Sequence, residues 1–225
     1  MPPVTRNILA INAVVGLADW VFGRLGFDLV SWLGLFNWGY SAFHGMRSFH
    51  IWQLFTYMFM HSGFGHFFCN MFAVMMFGPV IEREWGEKKF LIYYLVCGVG
   101  AALVQELTWL LAIGSYPAVT IGASGAVFGV LLAFAWLFPE QKMFLLFVPI
   151  PIPSRVFVGL YALLELSAGF SSIPGDNVAH FAHLGGMVFG YILIKYWQHK
   201  SNHKNRFKVY EGKDFSKYHY KNPIK

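Results

Sequence analysis

Six apolar runs divide the chain, at about 6–25, 58–81, 90–113, 122–138, 156–170 and 178–197, each at or near the length that a helix needs to cross a bilayer. Between them lie a Trp- and Phe-rich stretch at 27–57, a charged turn at 82–89, a short loop at 114–120, a proline-rich link at 139–153 and a short connection at 171–177. No internal repeat or low-complexity segment interrupts the pattern. It predicts an all-α membrane protein: a six-transmembrane-helix bundle with a long first loop over residues 1–197, followed by a basic tail at 198–225.

Composition supports a bilayer setting. Hydrophobic residues make up 56% of the chain and charged residues 12%, against about 45–50% and about 25% in ordinary soluble domains. The mean hydropathy is +0.49. Much of the net charge of +6 comes from the stretch between Lys195 and Lys225. Scattered cations after an apolar helix suit anionic headgroups on the cytoplasmic face better than they suit nucleic acid.

The other cations set a topology. Arg6, Arg83, Lys88, Lys89, Lys142 and Arg155 fall on the same side as the tail, leaving Arg24 and Arg47 for the opposite side. Both termini are therefore expected in the cytoplasm. The first run has Asp19 and Arg24 near its end and no small-residue cleavage site, so it reads as a retained span. With no organelle-targeting segment evident, the expected location is a bacterial plasma (inner) membrane. Trp32, Trp38, Phe49 and Trp52 suit the first loop to lie at headgroup level. Cys69 and Cys97 sit inside apolar runs as small hydrophobes and support neither a disulfide framework nor a zinc site.

With this topology, spans two, four and six all enter the membrane from the outer face, and their starts share one depth. Those starts carry His61, His66, Asn70, Ser124, His180 and His183. Polar and ionisable groups within spans are costly and mark functional sites by default. On the fourth span Gly125 and Gly129 form a small-residue face, and Gly186 and Gly190 give the sixth a matching one. Close packing of those faces would bring His183 within reach of the Ser124 hydroxyl, the arrangement that activates a serine nucleophile. Ser124 also lies in the first turn of its helix, where unpaired backbone N–H groups favour an oxyanion. His66 and Asn70, four apart on one face, are candidate further donors.

Each piece alone has a plainer explanation. Gly-Ala-Ser-Gly is ordinary helix-packing sequence, and a single His or Asn often joins two spans. Their joint placement at one depth is what favours chemistry. A metal site is the weaker reading: there is no HExxH, and His61 and His66 point about 140° apart on a helix, with no carboxylate nearby in sequence.

The stretch 61–70, His-Ser-Gly-Phe-Gly-His-Phe-Phe-Cys-Asn, then Gly122-Ala123-Ser124-Gly125, then Ala182-His183-Leu184-Gly185-Gly186 with Gly190, resembles the rhomboid intramembrane proteases in order and spacing. The resemblance spans most of the chain. It implies a six-helix core in which the serine opens a water-filled cavity below the outer surface and cleaves membrane-anchored substrates near their helix ends. Carried onto this sequence, Ser124 looks like the nucleophile and His183 the base, with His66, Asn70 and the Ser124 N–H as oxyanion donors. Phe128 matches an aromatic packing beneath the histidine, and Gly122 opens the serine motif. His61 matches a structural hydrogen-bonding position, and Glu82 an acid that ties up the cytoplasmic end of the second span. Trp52 is followed by Gln53 where many relatives have Arg, so an arginine anchor for the loop is missing. His180 shares the face of His183, but the spacing to Gly186 and Gly190 selects His183.

No acidic residue is evident in the sixth span to orient His183, so the expected machinery is a Ser-His dyad acting on single-span membrane proteins, without metal or cofactor. Two rivals are a catalytically inactive rhomboid-like helix-binding protein, which predicts loss of the serine or histidine, and a small transporter or proton channel with a histidine relay, for which Glu106 and Glu165 are the candidate acids.

Overall fold

A computed structural model of the chain describes residues 1–38, 49–111, 119–145, 148–171 and 178–202. The middle of the first loop with Arg47, most of the loop at 114–120, the connection at 172–177 and nearly all of the basic tail lie outside the described residues.

A long helix lies in each of the six apolar runs: α1 (Pro3–Arg24), α4 (Phe64–Trp85), α5 (Glu87–Leu111), α6 (Ser124–Leu137), α7 (Ser154–Phe170) and α8 (His180–Asn202). In the second run the long helix starts only at Phe64, so His61, expected on a helix with His66, stands before α4. Two short helices, α2 (Val30–Leu33) and α3 (Gln53–Thr56), belong to the first loop. Of the long helices, α1, α4 and α5 are long and apolar enough to cross a membrane by length and composition. The last helix runs to Asn202, past the end predicted at 197.

The all-helical expectation needs an addition, because two small antiparallel ladders interrupt it. Strand β1 (Leu35–Phe36) pairs with β2 (Val119–Thr120), which ties the first loop to the segment just before Ser124. Strands β3 (Lys142–Leu145) and β4 (Val148–Pro153) form a hairpin where the sequence reads as a proline-rich link.

Helix α6 is the centre of the bundle. Its residues from Gly125 to Leu131 are all buried, and α5 and α8 pack against it and against each other. Small residues set this packing: a Cβ on Gly186 would collide with the carbonyl of Gly125. The outer sides of the helices are apolar too, with Val14 and Leu17 on α1, Leu163 and Leu164 on α7 and Ile192 on α8 exposed. Apolar side chains on the outside of a bundle suit a hydrocarbon surround.

Buried polar residues hold the periphery. At the start of α1, the Glu82 carboxylate accepts the backbone N–H of Val4 at 2.8 Å, that of Thr5 at 2.7 Å and the Thr5 hydroxyl at 2.6 Å. An anionic side chain thus satisfies two of the orphan donors at a helix N-terminus and meets the positive end of its dipole. In the first loop, Gln53 is fully buried and its carbonyl accepts the N–H groups of Phe36 and His50 at 3.3 and 3.2 Å. A neutral amide therefore anchors the loop at the position where the resemblance anticipates arginine. Thr56 Oγ1 donates to the Leu33 carbonyl at 2.7 Å and Trp52 Nε1 to that of Trp32 at 3.0 Å. At the loop's far edge Trp38 N–H donates to Glu106 at 3.1 Å.

Candidate active site

The local backbone that presents Ser124 is shaped by Gly122. Its φ is +123°, a left-handed value that strains any residue with a Cβ, and a Cβ there would also stand 2.7 Å from the His66 ring. The Gly122 N–H donates to the Tyr57 carbonyl at 2.9 Å, while the Tyr57 hydroxyl donates to the Gly98 carbonyl on α5 at 2.7 Å. The turn is thus fixed from both sides, and α6 begins directly with Ser124.

From the opposite helix, the Nε2 of His183 lies 2.8 Å from Ser124 Oγ. Although the two residues are far apart in sequence, the contact follows from the close α6–α8 approach at Gly125 and Gly186. Phe128, one turn into α6, stacks flat beneath the imidazole with ring centroids 4.3 Å apart and planes 10° apart. Tyr161 of α7 packs against the Phe128 ring at 4.9 Å. The His183 ring is therefore fixed by an aromatic plate below and a hydrogen bond in front.

A third group holds it from behind. The Nδ1 of His183 lies 2.8 Å from Glu165 Oε2, and the Nδ1 of His180 lies 2.7 Å from the same oxygen. Glu165 and His183 are both buried. The sixth apolar run carries no acid to orient His183, so the sequence predicts a dyad; the acid comes instead from the fifth run. The signal was present, since an acidic residue inside an apolar helix is costly unless it is partnered. Glu106, the other candidate acid for a transporter, is engaged with the first loop.

The remaining predicted residues cluster around this pair. His66 sits in the first turn of α4 with its Nδ1 3.1 Å from the Ser62 hydroxyl, and its ring borders Gly122. Asn70 is buried on α4, and its amide donates to the His66 carbonyl at 3.0 Å, within its own helix. The ring of His61 packs edge-on against those of His66 and Phe67, at 5.2 and 5.4 Å. It also borders a cavity of about 500 Å³ between α1 and the start of α4.

Glu165, His180 and His183 also form a set of metal-ligand donor types, with donor atoms all within 4.8 Å of one another. The two Nδ1–Oε2 separations are hydrogen-bond lengths, however. Ligands bound tetrahedrally at about 2.0–2.1 Å from a zinc ion would stand roughly 3.3 Å apart. The residues are placed as a hydrogen-bonded chain, which can hold a proton at a defined ring nitrogen.

Comparison with known proteins identifies the family. Residues 48–199 match the model of the Rhomboid domain. Among curated proteins, the chain is 29% identical over 196 residues to "Putative rhomboid protease YdcA" of Bacillus subtilis, covering 85% of this chain and 86% of that protein. It is 34% identical over 151 residues to RHOMBOID-like protein 5 of Arabidopsis thaliana, covering 64% of this chain and 44% of that protein. Against the mitochondrial Rhomboid protein 1 of Saccharomyces cerevisiae it is 32% identical over 148 residues, or 66% and 42% of the two chains. The chain thus spans less than half the length of the last two relatives and most of the first. The described fold, the serine and histidine motifs in order, and a domain match over most of its length place the chain in the rhomboid family.

Proposed function

We propose that the protein is an intramembrane serine endopeptidase that cleaves single-span membrane proteins near the outer end of their transmembrane helices. The observation that carries this reading is the 2.8 Å contact between Ser124 Oγ and His183 Nε2, at the start of a buried central helix. The name of the Bacillus subtilis relative, "Putative rhomboid protease YdcA", points the same way.

In the mechanism, His183 Nε2 takes the Ser124 proton as Oγ attacks the substrate carbonyl. The tetrahedral oxyanion is held by the Ser124 backbone N–H and the side chains of His66 and Asn70. In the resting state Asn70 is turned onto its own helix, so its engagement requires the amide to swing toward bound substrate; catalytic hydrogen bonds often tighten only in the complex. His183 then gives its proton to the leaving amine, and water hydrolyses the acyl-enzyme with His183 again as base. These steps need no metal or cofactor.

Depth follows from helix length. A helix of 14 residues, such as α6, spans about 21 Å, short of the roughly 30 Å hydrocarbon core. A central helix this short can keep its first residue below the membrane surface while the first loop, α4 and α8 surround it. On this reading that end faces the outer side of a bacterial plasma membrane, with six spans in all and both termini cytoplasmic; the asymmetry of the cations supports this orientation.

An inactive, helix-binding member of the family would be free to lose the serine or the base, and in this chain both are present and in contact. A fluorophosphonate probe tests the nucleophile directly. The wild-type protein in detergent should be labelled at Ser124, while Ser124→Ala and His183→Ala should not; equal labelling of all three would refute the assignment.

A further inference from the structure

We infer that Glu165 is a positioning residue for His183, so that the site works as a Ser124–His183–Glu165 triad with His180 as a brace on the carboxylate. This rests on the serine-protease reading above and extends it to a residue on a different helix.

The geometry makes the case. Glu165 Oε2 faces the Nδ1 of His183 at 2.8 Å while Nε2 on the other edge of the same ring faces Ser124 Oγ at 2.8 Å. An ionised carboxylate can only accept, so the proton of neutral His183 is held on Nδ1. Nε2 is then left with a lone pair directed at the serine hydroxyl, which is the tautomer that a general base needs. Without the carboxylate, either nitrogen can carry the proton, and the competing tautomer cannot deprotonate Ser124.

His180 serves the carboxylate rather than the serine. Three residues before His183 and on the same face of α8, it brings a second Nδ1 to within 2.7 Å of Oε2. Side-chain exposure is 8% for Glu165, 13% for His180 and 11% for His183. A carboxylate this far from solvent is costly unless it is hydrogen-bonded, and two ring N–H donors converge on its Oε2. When His183 becomes an imidazolium during acylation, the buried carboxylate stabilises that charge. Glu165 stays ionised throughout and takes no proton.

The test compares wild type, Glu165→Gln, His180→Ala, His183→Ala and the Glu165→Gln/His183→Ala double variant in proteoliposomes with a single-span substrate. Glu165→Gln keeps the side-chain volume, and an unchanged thermal midpoint establishes that its rates are read on folded protein. It should lower kcat on the order of 10²- to 10⁴-fold with KM little changed, and His180→Ala should have a smaller effect in the same direction. In the His183→Ala background the Glu165 substitution should have no further effect, because Glu165 acts through that ring. Independently of turnover, proton NMR of the His180→Ala protein should show a low-field imidazole N–H resonance that disappears when Glu165→Gln is added. Wild-type kcat in Glu165→Gln, a loss that persists undiminished without His183, a low-field resonance indifferent to Glu165, or activity abolished by a chelator and restored by zinc would each overturn the inference. Failure of the protease reading looks different: wild type would neither cleave substrate nor react with fluorophosphonate, and the NMR comparison would still decide whether Glu165 holds His183.

Discussion

At the scale of single residues, the site depends on atoms that leave no room for alternatives. Gly122 is the sharpest case, because a side chain there meets both a left-handed backbone and the His66 ring. Gly122→Ala should therefore cost about 1–3 kcal/mol of stability and slow fluorophosphonate labelling of whatever protein remains folded, by displacing Ser124 and His66 together. A stability and labelling rate equal to wild type would show that the turn tolerates a Cβ and that Gly122 does not set the position of Ser124. Ser124 and His183 were legible in the sequence because their spans enter from one face and carry matched glycines. Glu165 was harder to read. Its helix begins on the opposite side, so its depth appears only on counting about 15 Å of helix up from Arg155. That count brings it to the level of His183, and an unpaired acid in that position was the available clue.

At the scale of elements, polar clamps decide where each helix sits. Glu82 joins the end of α4 to the beginning of α1 through three hydrogen bonds. Replacing it by Gln removes the charge from a buried helix N-terminus, and a loss of about 2–4 kcal/mol is expected. Thermal unfolding in detergent should show the lower midpoint, while the fluorophosphonate reactivity of the folded fraction stays near wild type, since the clamp lies at the opposite end of the bundle from Ser124. A large loss of reactivity at unchanged stability would mean instead that the docking of α1 controls the active site. The helices themselves were plain in the apolar pattern, but the strands were not. A two-residue ladder such as Leu35–Phe36 with Val119–Thr120 has no period to detect, and residues 148–153, Val-Pro-Ile-Pro-Ile-Pro, look like a link because three prolines cannot donate to a ladder. Gln53 shows how a local substitution is absorbed: a neutral amide with correctly placed acceptors holds the loop where a cation was anticipated.

At the scale of the whole molecule, a short buried helix is carried by longer helices whose outer sides are themselves apolar. This arrangement brings a half-buried serine together with a buried histidine and a buried carboxylate at one end of the bundle, and it is consistent with a hydrolytic site set into a membrane. The spacing of the apolar runs already pointed to this general plan. It did not convey which helix would supply the acid, because that depends on how α7 is turned against α8. The central claim is that the Ser124–His183 pair hydrolyses peptide bonds of membrane-spanning substrates. Its most direct test is to reconstitute wild type and Ser124→Ala into liposomes with a single-span substrate carrying a small-residue, helix-destabilising site near its outer end. Cleavage at that site by wild type and none by Ser124→Ala is the predicted result, whereas equal cleavage by both, or none by wild type across several such substrates, would contradict it.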